Sequence, residues 1–254
     1  GATVHRPSWT QDIEWDTFDI SVIRTTWDYH SRKVEFVDWC KTVPRLFNNA
    51  EIVVWNTHKS YLRELEERGT AIAPTTWIGT NRTIDVQKEL NLFGSSQGFI
   101  KPQVGACASD TLRFSCDEVE EAQQFLRDNA HQDMMLQPYL KNVETEGELT
   151  AIFIDGRFTH GVQKIPVKGD YRVQDDFGAT DKPYEFTSDE LQTMQETLLA
   201  VPQHAQLLYA RFDYLRSDEG ELLLNELELI EPSLFFRHCE NSAIRLAEAI
   251  LKRV

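Results

Sequence analysis

The chain has 254 residues and a formal net charge of −15, from 41 acidic and 26 basic side chains. This acidic balance argues against non-specific nucleic-acid binding, which requires clustered cations. The 254 residues show neither a signal-peptide pattern nor an apolar run of about 18 residues, as a membrane-spanning helix requires, so we expect a cytoplasmic protein without a signal peptide or a membrane partner. Its four cysteines are scattered without paired spacing, which favours free thiols over a zinc site.

Short strands and helices alternate in the first part of the chain. The pattern of apolar residues predicts strands at 3–6, 18–23 and 51–55 and helices at 34–43 and 59–68. Asn56 or Thr57 is expected to cap the second helix. Such alternation is typical of a parallel α/β sheet, in which ligands lie at the carboxyl ends of the strands. Because the chain begins at Gly1 without Met, we expect a further strand and helix before it.

The remainder of the chain combines helices with strands and hairpins. Helices are predicted at 83–92, 117–129, 188–200 and 243–254, and strands at 98–102 and 134–140. Paired β-rich runs predict two hairpins, one at 149–163 with a turn at Asp155-Gly156 and one at 207–230 with a loop at 217–220. The polar stretch at 166–184, which is rich in glycine and proline, is interpreted as a mobile loop.

The second hairpin carries the most informative cluster of side chains. The expected register places Arg211 opposite Glu226 and Asp213 opposite Leu224, so that Arg211, Asp213, Glu226 and Glu228 share one face of the strands. Three neighbouring carboxylates repel one another unless a cation lies between them, and hard oxygen ligands suit Mg²⁺. The alternative is a solvated polar face on an edge hairpin, and a slip of one residue would move Asp213 to the opposite face.

Three lysines lie where a phosphate-binding site would need cations. Lys101 ends a strand before a small-residue loop at 105–109, whose backbone N–H groups would reach phosphate oxygens. The loop lacks the Gly-Lys-Ser/Thr of a Walker A motif. Lys164 lies at the end of a strand, and Lys59 opens a helix, where a lysine opposes the helix dipole. Each feature taken alone also fits an ordinary surface lysine or turn.

The order of these motifs resembles the ATP-grasp superfamily. The strings that carry the resemblance are Phe99-Ile100-Lys101-Pro102, Arg211-Phe212-Asp213 and Asn225-Glu226-Leu227-Glu228. Within the superfamily, the chain is similar to the glutathione-synthetase-like and ribosomal-S6-modification-like ligases. The strings at 23–29 and 226–233 look like a sub-branch that includes ligases of cycloserine biosynthesis. The last motif of the superfamily usually reads Glu-x-Asn, so Glu228 adds a negative charge here.

The resemblance implies an α/β and α+β chain with the ATP-grasp fold. A truncated-looking, Rossmann-like domain at 1–75 would precede two α+β subdomains, at 76–140 and 141–254, that clasp ATP between them. The ligands of Mg²⁺, or of Mn²⁺ in its place, would be Asp213, Glu226 and Glu228. The residues that would bind ATP are Lys59, Lys101, Gln137, Tyr139, Leu140, Glu148 and Lys164, with 137–140 beside adenine and Glu148 on the ribose. The residues that would meet the phosphates during catalysis are Lys164, Arg172 and Arg211.

The implied reaction joins a small-molecule acid to an amine. A carboxylate, or a similar acyl oxygen, would attack the γ-phosphate of ATP, and the amine would capture the acylphosphate. A small amino-acid-like or peptide substrate is favoured, and ring closure, as in cycloserine biosynthesis, and joining of two molecules both stay open. Two other functions also stay open: a non-catalytic nucleotide-binding protein that retains the fold, and a phosphotransferase without ligation. The oligomeric state is open between monomer and homodimer.

Several polar residues are candidates for contact with the substrates. They are Arg24, Asp28, Tyr29, His160 and Ser233. Arg24 would clamp a carboxylate in bidentate fashion, and Asp28 with Tyr29 would meet an amine. Arg172 would close over the phosphate or acyl group, Ser233 would lie beside the acylphosphate, and His160 would serve as an acid or base. A structural role is an equal alternative for each of them, and Trp27 fits a core residue better than a ligand.

Overall fold

The computed structural model describes residues 1–105, 110–174 and 177–254, which form three β-sheets with helices packed on them. The strands are β1 (Ser21–Val22), β2 (Leu46–Phe47), β3 (Thr76–Ile78), β4 (Gln97–Pro102), β5 (Leu112–Ser115), β6 (Met134–Pro138), β7 (Glu148–Ile154), β8 (Arg157–Ile165), β9 (Thr180–Tyr184), β10 (Tyr209–Arg216) and β11 (Leu222–Glu228). The helices are α1 (Lys33–Thr42), α2 (Ala50–Asn56), α3 (Tyr61–Glu67), α4 (Val86–Phe93), α5 (Val119–Asp128), α6 (Val143–Glu146), α7 (Ser188–Ala200) and α8 (Glu240–Leu251). None of the helices in these ranges is long and apolar enough to cross a membrane.

The N-terminal region contains the parallel pair β1 and β2 and the helices α1 to α3. Strand β1 keeps only part of the run predicted at 18–23, and the segment 3–6 is not a strand. The strand predicted at 51–55 is wrong, because this segment is helix α2. Asn49 caps that helix by accepting a hydrogen bond from the backbone N–H of Ile52 at 3.0 Å, which outweighs the β-branched composition. Asn56 and Thr57 lie at the end of α2 and do not cap α3, so that prediction is also wrong.

The four-stranded sheet has the order β3-β6-β4-β5 and is antiparallel throughout. Helices α4 and α5 cover one face, where Leu90 and Leu126 pack against Ile100 and Phe114. Side chains alternate along a strand, so Lys101 lies on the other face, which borders the cavity described below. The strands predicted at 98–102 and 134–140 and the helices predicted at 83–92 and 117–129 are confirmed, with ends that differ by a few residues.

The five-stranded sheet has the order β11-β10-β7-β8-β9 and is also antiparallel. The predicted parallel arrangement is therefore limited to β1 and β2. The hairpin of β7 and β8 turns at Asp155 and Gly156, both with positive φ (52° and 72°), as predicted. The loop predicted at 166–184 is wrong at its end, because β9 pairs with β8 as an edge strand. A polar edge strand lacks the apolar alternation by which strands are recognised.

Helices α7 and α8 pack on opposite faces of this sheet. Helix α7 begins at Ser188 as predicted, after a capping box formed by Thr187 and Glu190. Phe153 of β7 lies in the core beneath α7, whereas its neighbour Ile152 lies beneath α8. By alternation, the face that bears Ile152 also bears Glu148 and Thr150 at the start of β7. One face of the sheet thus supplies apolar core at one end and polar groups at the other.

The hairpin of β10 and β11 has a different register from the one predicted. Arg216 pairs with Leu222, one residue beyond its expected partner, and a bulge at Asn225 adds a second residue, so that Asp213 pairs with Glu226 and Arg211 with Glu228. The difference from the prediction is two residues at these positions. Since side chains repeat every two residues along a strand, the four charged side chains still share one face. The domain division predicted at residues 75 and 140 stays a prediction.

Candidate active site

A cavity of about 460 Å³ lies where the N-terminal region and the two larger sheets meet. The charged side chains among its described lining residues are Lys59, Lys101, Lys164, Arg172 and Arg211, and Glu148, Asp213, Glu226, Glu228 and Glu231. These five basic and five acidic groups balance in formal charge. The volume falls in the range of cofactor and small-molecule sites.

Asp213 lies deepest among the acidic residues, with 1% of its surface exposed. Its Oδ2 accepts hydrogen bonds from Nε and Nη2 of Arg211 at 3.0 and 2.8 Å. Its Oδ1 accepts from Thr150 Oγ1 at 2.5 Å and from Lys164 Nζ at 3.3 Å. Arg211 also forms an ion pair with Glu228 on the neighbouring strand. Burial alone would raise the pKa of Asp213, but the charges of Arg211 and Lys164 hold it below its usual value. Asp213 is therefore an ionised and fixed carboxylate.

A series of polar contacts leads from Lys164 to the four-stranded sheet. Lys164 forms an ion pair with Glu148, whose Oε2 accepts a hydrogen bond from Asn225 Nδ2 at 2.8 Å. The Oδ1 of Asn225 accepts in turn from Lys101 Nζ at 3.0 Å. Burial lowers the pKa of Lys101 to about 8. The bulge residue Asn225 thus connects the two sheets across the cavity.

Lys59 contributes a further ion pair from the N-terminal region. Its Nζ lies 2.9 Å from Glu226 Oε1 and donates to the carbonyl of Gly105 at 3.0 Å. Burial would raise the pKa of Glu226, but the charges of Lys59 and Lys101 keep it below its usual value. The rest of the loop predicted to contact phosphates, residues 106–109, lies outside the described residues.

The residues predicted to flank adenine lie together at the end of β6. Gln137, Tyr139 and Leu140 all line the cavity. The Gln137 amide donates to Thr75 Oγ1 at 2.9 Å. Tyr139 packs in an apolar cluster with Val143 and Val173. The cavity therefore has an apolar part beside β6 as well as the charged part between the sheets.

The predicted substrate-binding residues fall into two groups. Tyr29 and Ser233 line the cavity, as does Arg172, whereas Arg24, Asp28 and His160 do not appear among its described lining residues. Arg172 lies 4.0 Å over the ring of Phe177. It is held by Asp170 through contacts of 3.0, 3.1 and 2.7 Å, and these hydrogen bonds hold the pKa of Asp170 well below its usual range.

The other three side chains are engaged in structural contacts. Arg24 Nη2 donates to the carbonyl of Pro232 at 2.8 Å. Asp28 accepts a hydrogen bond from the indole of Trp9 at 3.2 Å, and His160 Nδ1 lies 2.9 Å from Ser242 Oγ beneath α8. The structure therefore does not bring these three residues to the cavity.

The sequence did not single out four residues that the structure places at the site. Asn225 and Thr150 contact the charged network; Asn225 opens the string at 225–228 but was given no role, and Thr150 is a neutral polar residue without a recognisable spacing signal. Trp27 is 59% exposed and lines the cavity, so it is not a core residue. Glu231 also lines the cavity, and burial together with the negative charge of Glu228 raises its pKa to about 8. Glu231 lies within the string at 226–233, which could have indicated it.

The three predicted metal ligands are close together, but their carboxylates are not arranged to coordinate one metal ion. Within the described ranges, no group of three or more His, Cys, Asp or Glu side chains is placed to hold a metal ion. Each carboxylate instead faces a cation of the protein: Asp213 and Glu228 face Arg211, and Glu226 faces Lys59. The donor set itself, carboxylate oxygens on one face of paired strands, suits Mg²⁺.

Comparison with known proteins gives consistent matches. Residues 1–48 match the family described as the N-terminal domain of the D-cycloserine synthetase DcsG. The cycloserine biosynthesis protein DcsG of Streptomyces lavendulae is 28% identical over 260 residues, which cover 95% of this chain and 85% of the relative. The crystal structure of D-cycloserine synthetase DcsG superposes with a TM-score of 0.84 at 26% identity, over 96% of this chain and 87% of that one.

Two more distant structures share the fold. The D-alanine–D-alanine ligase of Bacillus anthracis in complex with ATP has a TM-score of 0.64 at 15% identity, over 94% of this chain and 79% of that one. The ATP-grasp ligase PsnB, in complex with a precursor variant, Mg and ADP, has a TM-score of 0.61 at 15% identity, over 89% of this chain and 69% of that one. The fold and resemblance expected from the sequence are confirmed. The chain therefore has the fold of the ATP-grasp ligases, and it is similar to D-cycloserine synthetase over nearly its whole length.

Proposed function

We propose that the chain is an ATP- and Mg²⁺-dependent carboxylate–amine ligase that works through an acylphosphate. The substrate is a small amino-acid-like or peptide compound, and the amine captures the activated acyl group within the same molecule or from a second one. The observation that carries the proposal is one cavity that combines paired basic and acidic side chains with an apolar part beside β6. The similarity to D-cycloserine synthetase supports ring closure as the form of the reaction.

The basic side chains would bind the phosphates of ATP. Lys59, Lys164 and Arg211 already pair with carboxylates. A phosphate oxygen would take the place of such a carboxylate, so the buried cation would keep a negative partner. Lys101 donates to the neutral amide of Asn225. A phosphate beside it would raise its lowered pKa and hold it in the charged form.

The metal ligands would be Asp213, Glu226 and Glu228. Mg²⁺ usually takes one or two protein carboxylates and completes its octahedron with phosphate oxygens and water. A preformed site in which all three carboxylates coordinate the metal is therefore not needed before ATP binds. When bound, the metal neutralises phosphate charge during transfer. The proposal requires Lys59 to release Glu226 and Arg211 to release Glu228, which the phosphates would allow by taking over both cations.

The nucleoside would lie at the other part of the cavity. Gln137, Tyr139 and Leu140 would border adenine, and the apolar cluster around Tyr139 would cover its ring face. Glu148 would hold the ribose hydroxyls. Its ion pair with Lys164 would then orient the ribose and the phosphates relative to each other.

The chemistry needs positioning and charge neutralisation more than a protein nucleophile. The substrate carboxylate attacks the γ-phosphorus and ADP leaves, while Lys164 and Arg211 stabilise the charge on the transferred group. The amine then attacks the acyl carbon, inorganic phosphate leaves, and the amine loses a proton. Arg172 would turn from Asp170 to the phosphate, which shields the acylphosphate from water.

The direct test measures ADP release from ATP in the presence of Mg²⁺ and a panel of amino acids, amino-acid derivatives and short peptides. We expect release that depends on both Mg²⁺ and one group of amino compounds, with a product that contains a new carbon–nitrogen bond. Hydroxylamine added to the reaction should give a hydroxamate, because it captures an acylphosphate.

Two outcomes would contradict the proposal. Tight ATP binding without turnover across the panel would indicate a non-catalytic nucleotide-binding protein. A stable phosphorylated product, without an amide or ring and without hydroxamate formation, would indicate a phosphotransferase. Mass spectrometry of the products separates these cases.

A further inference from the structure

The segment from Ile230 to Ser233 has its backbone fixed by side chains from two parts of the chain, the loop at 24–29 and strand β10. Four consecutive carbonyl groups each accept a hydrogen bond: Ile230 from Tyr209 Oη at 2.7 Å, Glu231 from Trp27 Nε1 at 3.4 Å, Pro232 from Arg24 Nη2 at 2.8 Å and Ser233 from Arg211 Nη1 at 3.4 Å. A backbone held at every residue keeps the side chain of Glu231 in one direction. Such support is typical of a pre-organised binding group.

Glu231 differs from the other acidic residues of the cavity in its partners. Each of the other four forms an ion pair with a lysine or arginine. Within the described part of the chain, the Glu231 carboxylate lines the cavity without an ion pair or a hydrogen bond to another side chain, and it contacts its own backbone N–H. A shielded carboxylate without a cationic partner destabilises a protein. A cationic group from a ligand would remove that cost.

Aromatic side chains beside Glu231 add a second feature of a cation site. Trp27 lines the cavity with 59% of its surface exposed, and its indole N–H is occupied by the Glu231 carbonyl. An exposed tryptophan fixed in this way presents a ring face, which attracts ammonium groups. Tyr29 lines the cavity in the same part of the chain.

We propose that Glu231 and the ring of Trp27 form a subsite that binds the ammonium group of an amino-acid-like substrate. The inference rests on the proposed ligase function, because it assigns one end of the substrate of that reaction. It gives Glu231 the contact with an amine that the sequence suggested for Asp28.

The position of Glu231 fits a substrate group close to the reacting atoms. Glu231 lies three positions after the predicted metal ligand Glu228, so their Cα atoms are at most about 11 Å apart. Arg211, which contacts Asp213, also holds the carbonyl of Ser233. The ammonium subsite and the phosphate-binding side chains therefore border the same cavity, with Arg211 in contact with both parts.

The test compares ligand binding to the full chain and to the variants Glu231→Gln, Trp27→Leu and Glu219→Gln. Glu219 is exposed in the loop between β10 and β11 and serves as the matched control. The ligands are D- and L-amino acids and D-cycloserine, each with its N-acetyl derivative, measured by shifts of the melting temperature. We expect free amino compounds to bind the wild type and Glu219→Gln equally, and N-acetyl derivatives to bind neither.

The binding of the amino compounds should weaken about tenfold or more in Glu231→Gln, as loss of a charged hydrogen bond predicts, and about threefold or more in Trp27→Leu. The affinity for ATP should change less than twofold in both. Without ligand, Glu231→Gln should melt at the same temperature as the wild type or higher, because it removes an unpaired carboxylate. A merely structural role for Glu231 predicts a lower melting temperature.

Three results would overturn the subsite: equal binding by wild type and Glu231→Gln, equal binding of free and N-acetylated compounds, or no binding of any free amino compound to the wild type. ADP release is measured on the same samples and separates the two proposals. Amino compounds that bind through Glu231 without supporting ADP release would reject the ligase proposal and leave the ammonium subsite in place.

Discussion

The five-stranded sheet and the N-terminal region before α3 both border the cavity, but they direct their polar side chains differently. Asp213, Lys164 and Glu148 of the sheet point into the cavity and pair with one another. In the N-terminal region, the buried Asn48 and Asn56 bind backbone groups of β10 and β11 instead. The sheet therefore supplies charged groups of the site, whereas these two asparagines support the strands that carry them, and Lys59 adds one cation from the N-terminal region.

The free edge of β11 explains this difference. Strand β11 is outermost in its sheet, so backbone groups on one side have no neighbouring strand in that sheet. Asn56 accepts from the N–H of Leu229 and donates to the carbonyl of Leu227, both at 2.8 Å. Asn48 donates to the Leu229 carbonyl at 2.7 Å, and the Tyr61 hydroxyl accepts from the Leu227 N–H at 2.9 Å. These side chains take the place of a sixth strand beside two predicted metal ligands.

The largest expected effect on activity comes from the sheet. Glu226→Gln keeps the size of the side chain but removes the charge that faces Lys59 and the proposed bond to the metal. Loss of a residue that only orients a metal ligand typically costs 10–100-fold, so we expect loss of a ligand to lower Mg²⁺-dependent ADP release more than about 100-fold. Steady-state kinetics over a range of Mg²⁺ concentrations measures this effect.

Glu221→Gln is the matched control, since Glu221 is exposed at the start of the same hairpin. It should keep normal turnover and a normal Mg²⁺ requirement. Circular dichroism should show that both variants are folded. Near-normal turnover of Glu226→Gln would show that Glu226 is not a metal ligand. It would also contradict the view that the five-stranded sheet carries the ligands of the metal.

The largest effect in the N-terminal region should be on stability. Asn48 is 1% exposed, and its side chain bonds the carbonyls of Tyr209 and Leu229 and the N–H of Leu208 at 2.7 to 3.0 Å. Each group left unpaired costs about 1–3 kcal/mol, so Asn48→Ala should lower the free energy of unfolding by about 3 kcal/mol or more. Urea denaturation measures this change.

The exposed Asn91, on helix α4, provides the control: Asn91→Ala should change stability by less than about 0.5 kcal/mol. The KM for ATP should stay unchanged in both variants at temperatures where they are folded. A higher KM for ATP in Asn48→Ala without loss of stability would show that Asn48 takes part in the binding of ATP and does not only support the sheet.

The sequence predicted those parts of the fold that depend on local signals. Helix α7 follows its capping box, and the β7–β8 hairpin follows its Asp-Gly turn. Helix α2 was missed because its β-branched residues favour a strand, whereas one cap at Asn49 and burial of Ile52 and Val53 decide for a helix. The register of β10 and β11 was missed because neither the one-residue shift at the loop nor the bulge at Asn225 leaves a mark in the hydropathy pattern.

Predictions about side chains at the site were more accurate for residues on strands than for residues in the loop at 24–29. Residues on strands were brought to the cavity because alternation fixes their direction, even where the register was wrong by two. Residues in the loop at 24–29 have no such rule. Arg24 donates to the carbonyl of Pro232, and Asp28 accepts from the indole of Trp9. The neighbouring Trp27 lines the cavity. The roles assigned to the cavity residues stay predictions until the variants are measured.

A smaller effect is expected at Arg24, which supports the Glu231 segment from outside the cavity. Its guanidinium lies 5.3 Å from the ring centre of Tyr209 and holds the carbonyl of Pro232. Arg24→Met should raise the KM for the amino substrate about three- to tenfold, since loss of one hydrogen bond costs about 1 kcal/mol. Arg24→Lys keeps a donor and should restore most of that loss. A direct clamp on a substrate carboxylate needs the planar guanidinium, so failure of the lysine variant to restore binding would favour the clamp.

The smallest effect is expected at Asp28. This side chain is exposed and accepts a hydrogen bond from the indole of Trp9 at 3.2 Å. Asp28→Asn keeps an acceptor oxygen, so stability should change by less than about 0.5 kcal/mol and turnover by less than about twofold. Asp28→Ala removes the acceptor and should cost about 1 kcal/mol of stability, again with normal kinetics. A rise of tenfold or more in the KM for the amino substrate in both variants, with unchanged melting temperature, would place the amine at Asp28 and not at Glu231. That result would mean that the loop at 24–29 rearranges when substrate binds, so that Asp28 exchanges the indole of Trp9 for the amine.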